Sequence, residues 1–426
     1  MTRAQLRLGA ALAVLATGAA AQDPVELTMW SWLPDLQTQI DMFEAQNPGI
    51  TVNLENVGQG EPHYVAMRNA IRAGTGGPDV VHVEFQLQPS FQLTGALLDL
   101  GPLGAEAVRG DYVDWSMAQV TGADGGIYGM PWDSGPLGIV YRGDLFEAAG
   151  ITEPPATWDA FAEAARAYRA ANPDSYITTA PFNQGGWVNA LFWQAGSRPF
   201  EMVDADTIRI RINDEAAKKV ADYWSGLIAD DLVDTQADFT TEWYSALDQG
   251  RIASWITAGW GPVFLSGFAS ESAGAWRAMP VPQWDPANPA SANWGGSTIA
   301  VMAGTEYPEE AAKLALFLSN NAEAANSFAT KQFLFPVLDS VLGSEAFLNA
   351  TSDFYGGTAV NGVFADSSAL IDTSFQWSPF QDFVFSEMST TLGAAAAEKR
   401  SLSDALDQVQ ASVVEYAESQ GFEVVQ

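Results

Sequence analysis

Val25-Glu26-Leu27-Thr28-Met29-Trp30, Ile50-Thr51-Val52-Asn53-Leu54-Glu55 and Asp79-Val80-Val81-His82-Val83-Glu84-Phe85 decide the fold of this chain. Each is short and apolar or alternating, the mark of a strand. Between the first two, Asp35 is placed to cap a helix running to about Gln46, with Leu36, Ile40 and Phe43 on one face. Asn47-Pro48-Gly49 stops it. Between the second and third, Tyr64 to Ala73 reads as a helix ended by Gly74-Thr75-Gly76-Gly77-Pro78. Strand, helix, strand, helix, strand implies a parallel sheet flanked by helices, hence the α/β class. Ligands of such sheets sit beyond the C-terminal strand ends. Those ends are Trp30-Ser31-Trp32, Gly58-Gln59-Gly60-Glu61 and Glu84-Phe85-Gln86.

The alternation continues. Gly129-Met130-Pro131-Trp132-Asp133 leads into a strand at Leu137 to Arg142. Thr157 is placed to cap a helix burying Trp158, Phe161, Ala165 and Tyr168. Further helices are expected at 184–195, 214–228, 240–249, 308–319 and 401–419, and strands at 208–212, 252–257, 276–281 and 298–302. At 426 residues the chain exceeds one ordinary core and calls for two or more domains.

Composition narrows the function. With 52 acidic against 19 basic side chains the formal charge is −33, which excludes a phosphate-neutralising face and docking on anionic lipid. The absence of cysteine excludes disulfides, thiolate metal sites, thiol nucleophiles and a thioether lipid anchor. Arg3 and Arg7, the apolar run Leu8 to Ala16 and the small residues Ala19-Ala20-Ala21 read as a secretory signal peptide, residues 1–21. Its removal leaves 17 basic and 52 acidic side chains, a charge of −35. Export without a lipid-bearing cysteine fits the periplasm of a two-membrane bacterium.

No catalytic or cofactor motif emerges. A Gly-x-Ser-x-Gly elbow, a Gly-x-Gly-x-x-Gly fingerprint and a Walker loop are all missing from the sequence. His63 and His82 lack metal-ligand spacing; His82 reads as a core residue and His63 as a loop residue at the site rim. Neither catalytic residue, metal nor cofactor is assigned. What stands out is tryptophan, fifteen in all, beside polar glycine-rich loops. An indole face covers the C–H face of a sugar ring while Asp, Glu, Asn or Gln meets the ring hydroxyls. Trp30, Ser31, Trp32, Gln59, Glu61, Glu84, Gln86, Trp132, Asp133, Trp187, Trp260, Trp294, Gly295, Gly296 and Trp377 are therefore the candidate ligand residues, with Asn183 or Gln184 as further hydroxyl partners. Trp158, Trp193, Trp224 and Trp255 lie inside helix or strand patterns and are assigned to core.

The order of several segments is similar to that of the extracellular solute-binding proteins of bacterial ABC carbohydrate importers, the maltose-binding-protein-like group. They are Leu27–Trp32, Gly77–Val81, Gly129–Asp133 through Ile139–Arg142, Pro154–Phe161, Gly250–Ala253 with Gly259–Pro262, and Gly295–Ser297 with the helix after Pro308. One departure is Tyr141-Arg142, where tyrosine-asparagine is usual. The resemblance implies a two-lobed periplasmic-binding-protein fold, each lobe a mainly parallel sheet flanked by helices, joined by hinge strands near 132–138 and 296–300. One lobe would comprise 22–134 plus 300–350, the other 135–299 plus 351–426. It further implies a monomer that binds a small-molecule carbohydrate between the lobes and delivers it to a membrane permease, without nucleic acid. A non-sugar solute (a glycerophosphodiester, polyamine or compatible solute) and a secreted glycoside hydrolase are the alternatives.

Overall fold

The computed structural model describes residues 24–332 and 334–425. The signal-peptide reading falls on residues outside that range. Two separate sheets organise the chain. The first has the order Ile50–Glu55, Val25–Trp30, Val80–Glu84, Ser297–Val301, Met130–Asp133. The second has the order Trp276–Met279, Leu137–Arg142, Ile252–Ala258, Tyr176–Thr178.

The opening strand–helix–strand–helix–strand unit forms as its pattern dictates, with the first three strands parallel. Strand directions elsewhere are more mixed than expected. Ser297–Val301 runs antiparallel to both its neighbours. In the second sheet only Tyr176–Thr178 pairs parallel, with Ile252–Ala258. The reason is topological. Leu137–Arg142 leaves the crossing and Ile252–Ala258 returns toward it, so the two must oppose each other, and Leu137 faces Ala258.

The sheets also correct the expected lobe boundaries. Residues 297–299 belong to the first sheet rather than the second lobe, because Ser297 pairs simultaneously with Glu84 and Asp133. Leu342 and Phe347, expected with the first lobe, pack with Trp243, Trp276 and Phe364, around the strands of the second sheet. Asp35 does not cap its helix. It takes a φ of +56°, and the helix begins at Gln37. Thr157 and Ser401 do cap, accepting hydrogen bonds from the Ala160 and Asp404 amides at 3.1 Å.

Two chain crossings run side by side between the sheets. The Trp294 amide donates to the Gly135 carbonyl at 2.7 Å, the Gly135 amide to Asn293 Oδ1 at 2.7 Å, and the Leu137 amide to the Ala292 carbonyl at 3.0 Å. A third segment joins them where the Ser134 amide donates to the Phe335 carbonyl at 2.9 Å. Gly135 has no room for a side chain: a Cβ there would lie 1.9 Å from the Trp294 carbonyl oxygen and 2.8 Å from Trp260 Nε1. Gly295 and Gly296 adopt φ of +80° and +81°, which glycine tolerates best.

Gly135→Ala should therefore lower the unfolding free energy by about 1–3 kcal/mol, the usual cost of overpacking. Gly110→Ala, with open space around it, should move it far less. Urea denaturation of the two variants side by side checks this.

Candidate functional site

The cleft-facing edge of the first sheet is set by register. Trp30 ends one strand and Glu84 the next, while Ser297 begins and Asp133 ends the two beside them. Because Ser297 pairs with both acids' residues, Glu84 and Asp133 flank it. The Ser297 hydroxyl donates to Asp133 Oδ1. Burial pushes Asp133 up to about 6, against the Ser297 bonds that pull it down and with nearby Glu84 adding to the rise. Burial also pushes Glu84 up, opposed by hydrogen bonds from Tyr64 and Gln86. The Tyr64 hydroxyl donates to Glu84 Oε2 at 2.9 Å.

Trp32 is the half-buried aromatic at this edge. Its ring stacks on His82 at 3.8 Å and 18°, with His63 and Tyr64 meeting it edge-on. One indole face is thus backed by imidazole. His63 Nε2 lies 3.0 Å from the His82 carbonyl oxygen, which can only accept, so His63 carries its proton there. Burial lowers both histidines, His82 well below the usual value. His63 is fully buried, beneath the site rather than at its rim. Ser31 is also buried and braces His82, its Oγ 3.2 Å from His82 Nδ1. Trp30 is buried and its indole N–H donates to Glu55. Trp132 packs edge-on against His82 at 5.0 Å and against Phe328 at 5.1 Å, within the core. Gln59 and Glu61 are exposed. Glu61 lies 3.6 Å from Arg68, which reaches Asp382 at 2.5 Å. That second pair joins the helix Glu61–Ala73, against the first sheet, to the helix Gln381–Ala397.

The second sheet supplies the facing wall. Ile252–Ala258 ends at this side and Gly259-Trp260 follow it. Trp260 Nε1 donates to the Trp294 carbonyl at 2.8 Å, and the two indoles meet edge-on at 4.9 Å. Trp260 remains half-buried. Gly295 and Gly296 follow directly, and a Cβ on Gly296 would lie 2.8 Å from the Asp133 carbonyl oxygen. The desolvated acids Glu84 and Asp133 of the first sheet and the Trp260 indole after the second thus lie beside the crossings. The arrangement suits a ring-shaped polyol with apolar faces and donor hydroxyls.

Two expected site residues lie elsewhere. Trp187 is 1% exposed, donates to the Ile256 carbonyl and packs on Phe182 and Trp224. Trp377 is buried against Trp193 and Phe375. Each looked like an exposed loop tryptophan, but Trp187 sits in the helix Gly185–Gln194, and Trp377, though in the loop 372–380, turns its ring inward. Phe239 was missed. It is exposed and lies 6.1 Å from Trp260 and 6.3 Å from Trp294. Weighting tryptophan alone hid it, since its neighbours in sequence carry no periodic signal.

Comparison with known proteins gives the family. The family described as bacterial extracellular solute-binding protein matches residues 15–325. The lactose-binding protein of Rhizobium radiobacter is 24% identical over 361 residues, spanning 80% of this chain and 81% of that one. The ABC transporter associated binding protein from B. animalis subsp. lactis Bl-04, solved in complex with beta-1,6-galactobiose, superposes with a TM-score of 0.80 at 28% identity. That match covers 95% of this chain and 100% of the other. The galacto-N-biose-/lacto-N-biose I-binding protein from Bifidobacterium longum shares the fold, with a TM-score of 0.82 at 22% identity over 95% of this chain and 100% of that one. With the family match spanning well over half its length, this chain belongs to the bacterial extracellular solute-binding proteins.

Proposed function

We propose that this protein is the substrate-binding component of an ABC importer, and that it takes a galactose-containing disaccharide or a related oligosaccharide between its lobes. The observation that carries this reading is the pairing of half-buried indole faces, Trp32 on one sheet edge and Trp260 on the other, with the desolvated acids Glu84 and Asp133. The names of two relatives, one binding lactose and one solved with beta-1,6-galactobiose, support the sugar class. A sugar touching both lobes favours the closed arrangement by contacts that the open one lacks. No step of this function breaks a bond in the sugar. The protein works as a monomer, in the periplasm, and hands its cargo to a permease at the lobe tips.

Calorimetry with lactose and beta-1,6-galactobiose, beside maltose and spermidine, tests the reading. Binding of a galactoside with no response to spermidine supports it; a response to spermidine alone overturns it. Trp260→Ala should weaken galactoside binding at least about tenfold, some 1.4 kcal/mol, without unfolding the protein. Wild-type affinity in that variant removes Trp260 from the site.

The pH dependence follows from Asp133. Its carboxylate accepts a sugar hydroxyl, and its proton returns as pH falls through about 6. Affinity should therefore be lower at pH 5 than at pH 8, and Asp133→Asn should flatten the change around pH 6. Export predicts a mature chain that begins at Gln22. Intact-mass measurement on protein released by osmotic shock checks it.

A further inference from the structure

Phe239 breaks two habits of large aromatic residues. Its backbone φ is +58°, in the left-handed region, and its side chain is 39% exposed. A bulky residue there costs about 1–2 kcal/mol. Its ring is nevertheless held, 5.8 Å from Trp243 and 5.9 Å from Trp255 as well as beside Trp260 and Trp294. Asp238, the residue before it, shows the opposite anomaly. It is only 7% exposed, yet its Oδ2 is buried without a hydrogen-bond partner. Burial pushes it up to about 7, and Gln184 is the side chain that stabilises its charged form.

The turn carrying both residues lies at the cleft end of the second sheet. Thr179 pairs with Asp234 just past the strand Tyr176–Thr178, which runs parallel to the strand that ends before Trp260. Gln184 immediately precedes the helix Gly185–Gln194, and a Cβ on Gly186 would meet Trp294 Nε1 at 2.8 Å. Thr240 caps the next helix by accepting from the Trp243 amide at 3.1 Å, which fixes the turn from its other side. A strained backbone and an orphaned buried oxygen each oppose folding. They persist together where the surroundings over-determine them, as at ligand clamps.

We propose that Asp238 and Phe239 form the specificity corner of the cleft. Asp238 Oδ2 accepts a hydroxyl of the bound sugar, and the Phe239 ring closes an aromatic wall with Trp260 and Trp294 around that sugar's C–H face. This rests on the sugar-binding reading above and adds to it the position at which the ligand must carry a free hydroxyl. A deoxy or O-methyl analogue at that position leaves the oxygen orphaned, so the corner discriminates sugars by one hydroxyl.

The test is calorimetry on the mature protein with lactose and beta-1,6-galactobiose, together with the melting temperature of each variant. In Asp238→Asn, Gln184 keeps the amide oxygen and the amide nitrogen replaces the free acceptor. Phe239→Gly removes the ring and relieves the left-handed backbone. Both variants should melt at or above the wild-type temperature while losing about tenfold or more in affinity. A fold-only role predicts the reverse, lower melting with affinity kept within about twofold, and that result overturns the proposal. Unchanged affinity and unchanged melting overturn it equally. If wild-type protein binds neither sugar, the functional reading itself falls and takes this corner with it.

Discussion

The backbone pairing of the two crossings is the constraint on which the rest of this structure depends. Trp294 donates to Gly135, and Gly135 donates to Asn293. This locks two extended segments side by side where the sheets approach. It fixes Ser297 between Glu84 and Asp133, and it presents the Trp294 carbonyl to the Trp260 indole. A side chain at Gly135 would collide with both partners. The crossings and the sheet edges beside them are therefore one object, and geometry at one is felt at the other.

The chain buries groups that fold stability alone would reject. Asp133 and Asp238 are desolvated acids whose values rise to about 6 and 7. A raised carboxyl value means that the folded state holds its proton more tightly than the unfolded chain does. The resulting penalty is present above the folded value and is relieved as pH falls through it. At neutral pH both groups thus work against folding, offset by the aromatic cores that hold them. His82 acts through another residue: it is stacked beneath Trp32 and fixes the plane of that indole.

Much of this was legible from sequence. The opening strands and helices carry clean alternation and helical spacing, and the structure follows them because each apolar face has one way to be buried. The cap at Thr157 was equally plain, since a hydroxyl residue before an amphipathic run has a local job. That Trp32, Glu84, Asp133 and Trp260 lie at or just past strand ends was readable because strand ends can be counted. The failures were of two kinds. Trp187 and Trp377 were misread because the depth of a residue is a tertiary property that periodicity cannot report. Asp238 and Phe239 were passed over because a strained turn leaves no pattern, only a backbone angle. The antiparallel character of the second sheet was hidden for a related reason: direction depends on where a strand returns, not on its composition.

The sealed aromatic interior also determines what light can report about this molecule. Trp158, Trp187, Trp193, Trp224, Trp243 and Trp276 are almost wholly shut away from solvent. Emission from indoles so shielded from water should lie at the blue end and change little with what enters between the lobes. Trp32, Trp260 and Trp284 keep contact with water, so a ligand that covers Trp32 or Trp260 should register at the red edge of the spectrum.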